Sequence, residues 1–374
     1  MRILAVTPYY SPEGGGLERY AHQILRRLAG RGHDVQALAF SQTRAGRVDV
    51  EGVPVEFTMP DFRIGNAPVG AGFLGAVRDR IARDRPDVVL AHTPVPFSAE
   101  MASLAAARAG VPFVATYHAG RLQGSTGVRN VLAALDRATL ERRMLKNAAR
   151  LIAVTPYVRD HALGKHKDRV AIIPPGVDHA TFAPQPMEDA PPKEVLFVGP
   201  LDRSYGWKGA DVLWDAFQAV AKAHPAARLR LVGKGDRAAE FRRLGARLGG
   251  VEVSGRLSDP ELVAAYNRAC VTVLPSLTDA ESFGMVLAEA NACERPVVAS
   301  RVGGIPDFVA HGENGLLAAP GDARDLAAQL CAVLADEGMA RRMGRAGRKR
   351  VIEGHDWDEL AKRTEAVLAD AANA

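Results

Sequence analysis

The chain has little cysteine: Cys270, Cys293 and Cys331 are its only three, far apart and each in an apolar context. That excludes a disulfide framework and a zinc site, and leaves buried free thiols as the expectation. It has no apolar run long enough to cross a bilayer. Its opening, Met1-Arg-Ile-Leu-Ala-Val-Thr-Pro8, lacks the hydrophobic region and cleavage site of a secretory signal, so a cytoplasmic protein is expected. Neither sign of charge dominates: 48 basic against 43 acidic side chains leave +5. This surplus fits an anionic ligand or an anionic membrane surface. It is too weak to argue for nucleic acid, and no zinc-finger, basic-leucine or RNA-recognition pattern is present. No repeat of solenoid period appears.

What is present is a chain of 374 residues, 47% hydrophobic and 24% charged, enough for two domains with sizeable cores. Apolar runs alternate with helical patterns throughout. Arg2–Thr7 reads as a strand. A loop with Gly14, Gly15 and Gly16 follows, then an amphipathic helix from Glu18 to Ala29, then a strand over 33–40. This is a Rossmann-type opening. Strands are expected at 53–59, 87–92, 110–118 and 151–155, with helices at 70–83 and 98–109. His92 and His118 each end a strand, where parallel sheets bind ligands.

Pro184, Pro186, Pro191 and Pro192 mark a linker. The expected organisation is an N-terminal domain over 1–183, a linker over 184–194 and a second domain over 195–356. A C-terminal helix within 357–374 crosses back to the first domain. In the second domain, strand and helix alternate from Glu194 to Asp336, implying a parallel sheet with helices on both faces.

Two stretches carry chemistry. Gly199-Pro-Leu-Asp-Arg203-Ser-Tyr-Gly-Trp-Lys208-Gly209 is a glycine-flanked loop with two cations. Strand Val271–Leu274 leads through a loop to Glu281-Ser-Phe-Gly284, and Met285–Ala292 reads as a buried helix containing Glu289. A helix start presents unpaired N–H groups and a positive dipole end, which suits a diphosphate. Glu281 before that start and Glu289 within the helix can bracket a ligand whose phosphates lie on the amides of Phe283, Gly284, Met285, Val286 and Leu287.

This pattern resembles the Glu-x7-Glu signature of the retaining glycosyltransferases of the GT-B type, family 4 (group 1). The resemblance runs from Gly14 to Trp357. It implies an α/β fold of two Rossmann-like domains facing across a cleft, and a hexosyl transfer from a nucleotide-diphosphate sugar, GDP- or UDP-linked. The acceptor would be a hydroxyl of a glycan, a lipid-linked or a small-molecule partner.

It also implies roles for individual residues. Glu281 contacts donor-sugar hydroxyls and Glu289 the ribose. Lys208 and Arg203 clamp the diphosphate, Arg203 taking the place of an arginine where this chain has Pro200. Gly15 and Gly16 approach the donor phosphate from the first domain. His118, in Thr116-Tyr-His118, approaches the donor sugar, and Arg256 lies near the base. Tyr9 and Glu18 face the acceptor. Ile173-Pro-Pro-Gly-Val-Asp178 matches a family segment with Pro175 in place of asparagine. Ser300–Val309 and His311–Leu317 resemble two further family segments, read as fold-determining turns. No Asp-x-Asp pair stands in the Gly199–Gly209 or Glu281–Glu289 stretch, so neither a metal nor another cofactor is expected.

The basic amphipathic stretch 121–150, with Arg121, Arg129, Arg137, Arg142, Arg143, Lys146 and Arg150, reads either as a solvated helix or as a peripheral contact with an anionic membrane. Gly233-Lys-Gly235-Asp-Arg-Ala238, with Glu252 beyond it, matches a dinucleotide fingerprint and keeps an NAD-dependent oxidoreductase as a rival. A sugar-nucleotide epimerase on the same frame is a second rival, and a binding protein with a decayed site a third.

Overall fold

The computed structural model describes residues 1–64, 67–119, 137–186 and 193–374. They form two compact units: Met1–Pro175 together with Trp357–Ala374, and Gly176–Asp356.

The first unit contains β1 (Arg2–Thr7), β2 (Asp34–Phe40), β3 (Gly46–Val50), β4 (Val53–Thr58), β5 (Phe62–Ile64), β6 (Ala67–Val69), β7 (Val88–Thr93), β8 (Phe113–Tyr117), β9 (Arg150–Ala153) and β10 (Val170–Ile172). Eight of them form one sheet in the order β10-β9-β8-β7-β1-β2-β4-β3; β5 and β6 pair with each other as a separate two-stranded sheet. The sheet is parallel except at its edge, where β3 runs antiparallel to β4. The central strands are apolar at nearly every position because helices cover both faces. In β7 all six residues, Val88 to Thr93, are buried. β3 is mostly exposed, and β5 and β6 are three residues each, too short to show a period, which is why periodicity does not find them.

The tail helix Trp357–Ala372 belongs to this unit and packs on helix Gly16–Gly30. Its buried face is Leu360, Ala361, Thr364, Leu368 and Ala371, the spacing of one helical stripe. Arg27 pairs with Asp358 at 2.7 Å and Arg31 with Glu365 at 2.6 Å along the edge of that contact.

The second unit contains β11 (Glu194–Val198), β12 (Arg228–Val232), β13 (Val251–Ser254), β14 (Val271–Leu274), β15 (Val297–Ser300) and β16 (Gly315–Ala318). They form an all-parallel sheet in the order β13-β12-β11-β14-β15-β16. The unit begins at Gly176, whereas the sequence places the end of the first domain at 183. The reason is packing: Phe182 is buried against Tyr266, ring centroids 6.0 Å apart, and Gln185 donates its N–H to Asn267 Oδ1 at 2.8 Å.

Most of the basic stretch 121–150 lies outside the described residues. Of its remainder, Met144 and Leu145 are buried on the short helix Arg142–Asn147, while Arg150 is paired with Asp370 of the tail helix. Among the described residues no helix is long and apolar enough to cross a membrane.

Candidate active site

The loop from β11 to helix Ala210–Ala223 brings Lys208 to Glu281. Lys208 Nζ donates to Glu281 Oε2 at 2.6 Å, and Ser276 Oγ donates to the same oxygen at 3.0 Å. The pair is sheltered: the Glu281 side chain is 9% exposed and that of Lys208 19%. Lys208 Nζ also lies 4.5 Å from the centre of the Trp207 ring, a cation over a π face. Two donors on Oε2 leave Oε1 as the carboxylate's remaining acceptor.

Three glycines permit this arrangement. A side chain at Gly209 (φ 76°) would run into the carbonyl oxygen of Pro275, and one at Gly303 (φ 57°) into the carbonyl oxygen of Glu281 itself. Gly304 N–H donates to that Glu281 oxygen at 3.0 Å. Ser300–Val309, read from the sequence as a turn, therefore clamps the backbone of Glu281. Gly284 (φ 83°) caps helix Met285–Ala292 in the left-handed region, which L-residues rarely adopt.

The side chains of Phe283 and Leu287 are core, Phe283 lying 5.1 Å from the Phe308 ring and 5.2 Å from His355. Met285 and Val286 are half-buried. What this turn can offer a ligand is the N–H groups of Met285 and Val286 at the helix start, since the Leu287 N–H, also expected there, donates to Gly284 O at 2.9 Å. Glu289 is buried in the same helix, and Tyr266 Oη donates to its Oε2 at 2.8 Å.

Arg203 stands apart from the Lys208–Glu281 pair. Its side chain is 77% exposed, with Asp236 and Glu240 both at 4.0 Å, and its N–H donates to Asp236 Oδ1 at 2.9 Å. Arg256 is exposed in the loop after β13.

The dinucleotide-like glycines have another occupation. A side chain at Gly233 would meet Gly199 O, and one at Gly235 would meet the backbone of Leu201. Leu201 N–H donates to Lys234 O at 2.8 Å, and Arg237 N–H donates to Leu201 O at 3.1 Å. The fingerprint spacing thus serves loop-to-loop packing that holds the Lys208 segment. Glu252 is spent on Arg230 (3.4 Å) and Ser254 (2.7 Å).

In the first unit, the glycine loop is closed by its own acid. Glu18 Oε2 accepts the Gly15 N–H at 2.7 Å. Burial pushes the Glu18 carboxyl above its ordinary range, against the pull of that bond. The residue that needs glycine's freedom is Gly14, at φ 101° and pressed against the Glu18 side chain. The Gly15 amide is engaged, whereas Gly16 begins helix Gly16–Gly30 and its amide has no partner within that helix. Tyr9 is buried, its hydroxyl has no hydrogen-bond partner among the described residues, and burial raises its pKa.

His118 follows β8 and is joined to His92 of β7: His92 Nδ1 and His118 Nε2 lie 2.9 Å apart. That link, Ser276 and the Gly303 clamp are what the sequence reading missed. His92 was visible as a strand-ending histidine, but its pairing was not.

The comparisons with known proteins agree with this architecture. The family model described as "Glycosyltransferase Family 4" matches residues 14–181, and "Glycosyl transferases group 1" matches 192–336. The chain is 32% identical to a glycogen synthase of Mycobacterium tuberculosis, covering 99% of this chain and 95% of the relative. It is 32% identical to a D-inositol 3-phosphate glycosyltransferase of Acidothermus cellulolyticus, covering 99% and 90%. It is 30% identical to a phosphatidyl-myo-inositol mannosyltransferase of Mycolicibacterium smegmatis, covering 96% and 92%. Among solved structures, Anabaena HepE in complex with UDP matches with a TM-score of 0.79 at 20% identity, over 99% of this chain and 100% of that one. Sucrose-phosphate synthase from Thermosynechococcus elongatus matches at 0.74 with 24% identity over 98% of each. With these relatives spanning nearly its whole length and both family models matching in order, the chain belongs to the family 4, group 1 glycosyltransferases of the GT-B fold.

Proposed function

We propose that this glycosyltransferase moves a hexosyl group from a GDP- or UDP-sugar to an acceptor hydroxyl, with retention of anomeric configuration and without a metal or other cofactor. The observation that carries the reading is the sheltered Lys208–Glu281 pair, with Ser276 on the same carboxylate oxygen, just before the start of helix Met285–Ala292. Support for the donor class comes from the neighbours: HepE is solved with UDP and with UDP-glucose.

In this reading the donor diphosphate rests on the amides at Met285 and Val286, with Lys208 against it. Glu281 takes sugar hydroxyls on Oε1, and Glu289 takes the ribose. Lys208 and the helix start stabilise charge as it grows on the leaving diphosphate, an effect of preorganised electrostatics. Arg203 joins them by leaving Asp236 and Glu240. His118 serves the transfer reaction, and Tyr9 the acceptor. The bond from the anomeric carbon to the phosphate oxygen breaks, and the acceptor oxygen bonds to the same face. The acceptor's proton passes to the departing diphosphate, so no enzyme nucleophile is required. Relatives named for glycogen, D-inositol 3-phosphate and phosphatidyl-myo-inositol support a polyhydroxylated acceptor, free or lipid-linked. Contact of 121–150 with an anionic membrane belongs with the lipid-linked case.

The test is a pair of substitutions read by calorimetry and turnover. Lys208→Ala should lower affinity for UDP or GDP by about 2 kcal/mol or more, the scale of a lost charge-assisted contact. Glu281→Ala should cut kcat by roughly a hundredfold with nucleoside diphosphate affinity little changed. Wild-type behaviour of both variants sinks the site assignment. Full activity in EDTA is expected, and the anomeric configuration of the product decides retention.

A further inference from the structure

The two strand-ending histidines are brought together by register. In the β7–β8 ladder His92 pairs with Thr116, and His118 N–H extends it by donating to Thr93 O at 2.9 Å. Residues two apart on a strand share a face, so His118 stands on the face of Thr116 and of its partner His92. The rings meet with centroids 5.2 Å apart. Tyr20 packs edge-on against both, at 6.0 Å from His92 and 4.7 Å from His118. Tyr20 is itself tethered by its hydroxyl to Ile173 O at 3.2 Å.

One hydrogen bond between two ring nitrogens holds one proton, and the surroundings decide whose. His92 is fully buried, and its Nε2 has no hydrogen-bond partner among the described residues. If His118 Nε2–H were the donor, the proton of neutral His92 would sit on Nε2 as a buried N–H without an acceptor. Such a group costs about 1–3 kcal/mol, and orphaned N–H groups are rarer than orphaned acceptors. If His92 Nδ1–H donates, only a bare ring nitrogen remains there. A charged ring is disfavoured as well: burial pushes the His92 pKa down to about 3 and that of His118 well below its ordinary value.

We infer that His92 is a positioning residue for His118. Its Nδ1–H, donated to His118 Nε2, holds that ring in place and confines the His118 proton to Nδ1, so His118 serves the transfer reaction as a neutral group that exchanges no proton through Nε2. This rests on the reading that His118 serves the transfer reaction. It differs from the role of the acids, which face ligand directly.

The experiment uses the full chain with 15N-labelled histidine. Long-range 1H–15N correlation should show His118 protonated at Nδ1 and bare at Nε2, with His92 protonated at Nδ1. In His92→Leu the His118 pattern should shift towards protonated Nε2. kcat for hydrolysis of UDP-glucose or GDP-mannose, whichever turns over, should drop about tenfold with KM within about twofold, the range for losing an outer-shell partner. His92→Asn, whose amide nitrogen sits where Nδ1 was, should restore most of kcat. His92→Gln, which places its amide at the Nε2 position, should not, and this contrast holds even if His92→Leu fails to fold. A His118 Nε2–H in the wild type, or equal turnover in the Asn and Gln variants, overturns the inference. Wild-type activity of His118→Ala would instead overturn the reading that His118 serves the transfer, leaving the tautomer result to stand on the spectra.

Discussion

The two units handle their polar groups in opposite ways. In the second, the glycines at 209 and 303 let backbone carbonyls approach closely, and the acid they frame, Glu281, takes both Lys208 and Ser276 on one oxygen. In the first, corresponding parts are satisfied among themselves: Gly15 on Glu18, His118 on His92, Arg150 on Asp370. The second unit fixes its Lys208–Glu281 pair through its own backbone. The first closes these groups on one another by side-chain bonds. Preorganisation of the first kind favours binding of charge, because no reorganisation is needed at the moment it develops.

The comparison can be broken most sharply at Gly303. Gly303→Ala adds a side chain at positive φ against the Glu281 carbonyl. It should destabilise the second unit by about 2–4 kcal/mol and lower turnover together with it. Denaturant unfolding and kcat/KM check this, and an unchanged midpoint would show that the clamp can relax.

Next comes acidification. His92 has a folded pKa of about 3 against an ordinary 6.5, so the unfolded chain takes up this proton first as pH falls. Its contribution to stability is complete above about 6.5 and drains away as pH falls towards 3, by up to about 1.4 kcal/mol per unit. Urea midpoints between pH 7 and pH 5 should fall in the wild type and fall less in His92→Leu.

Glu18→Ala removes the carboxylate that accepts from Gly15 and should cost about 1 kcal/mol, as for other N-terminal caps. UDP or GDP affinity is expected to stay the same. A large loss of affinity would place Glu18 in the ligand's path. The smallest effect is Asp370→Ala, which removes an exposed partner of Arg150 and should shift stability by less than about 1 kcal/mol.

Much of the layout was legible in one dimension. Helix Ser98–Ala109 and strands Arg228–Val232, Val251–Ser254 and Val271–Leu274 fall at the residues that apolar period and turn chemistry indicate. Parallel strands buried on both faces announce themselves as apolar runs. β3 did not, because an edge strand facing solvent carries no such run, and β5 and β6, three residues each, are too short to show one. At the site, Lys208 and Glu281 were legible as motif residues, and the structure brings them together. Arg203 carried the same sequence weight yet sits beside Asp236 and Glu240. The glycines at 233 and 235 imitated a cofactor fingerprint because close approach of two loops and close approach of a phosphate both demand a missing side chain.

The amino-acid order alone therefore determined the alternation of strand and helix, the family motifs and the residues available for chemistry, since these depend on neighbours a few positions apart. Only the tertiary structure decided which of those residues meet. Lys208 reaches Glu281 across 73 positions and His92 reaches His118 across 26. Such contacts are set by sheet register and by where a glycine lets two backbones touch, and neither is written in local spacing.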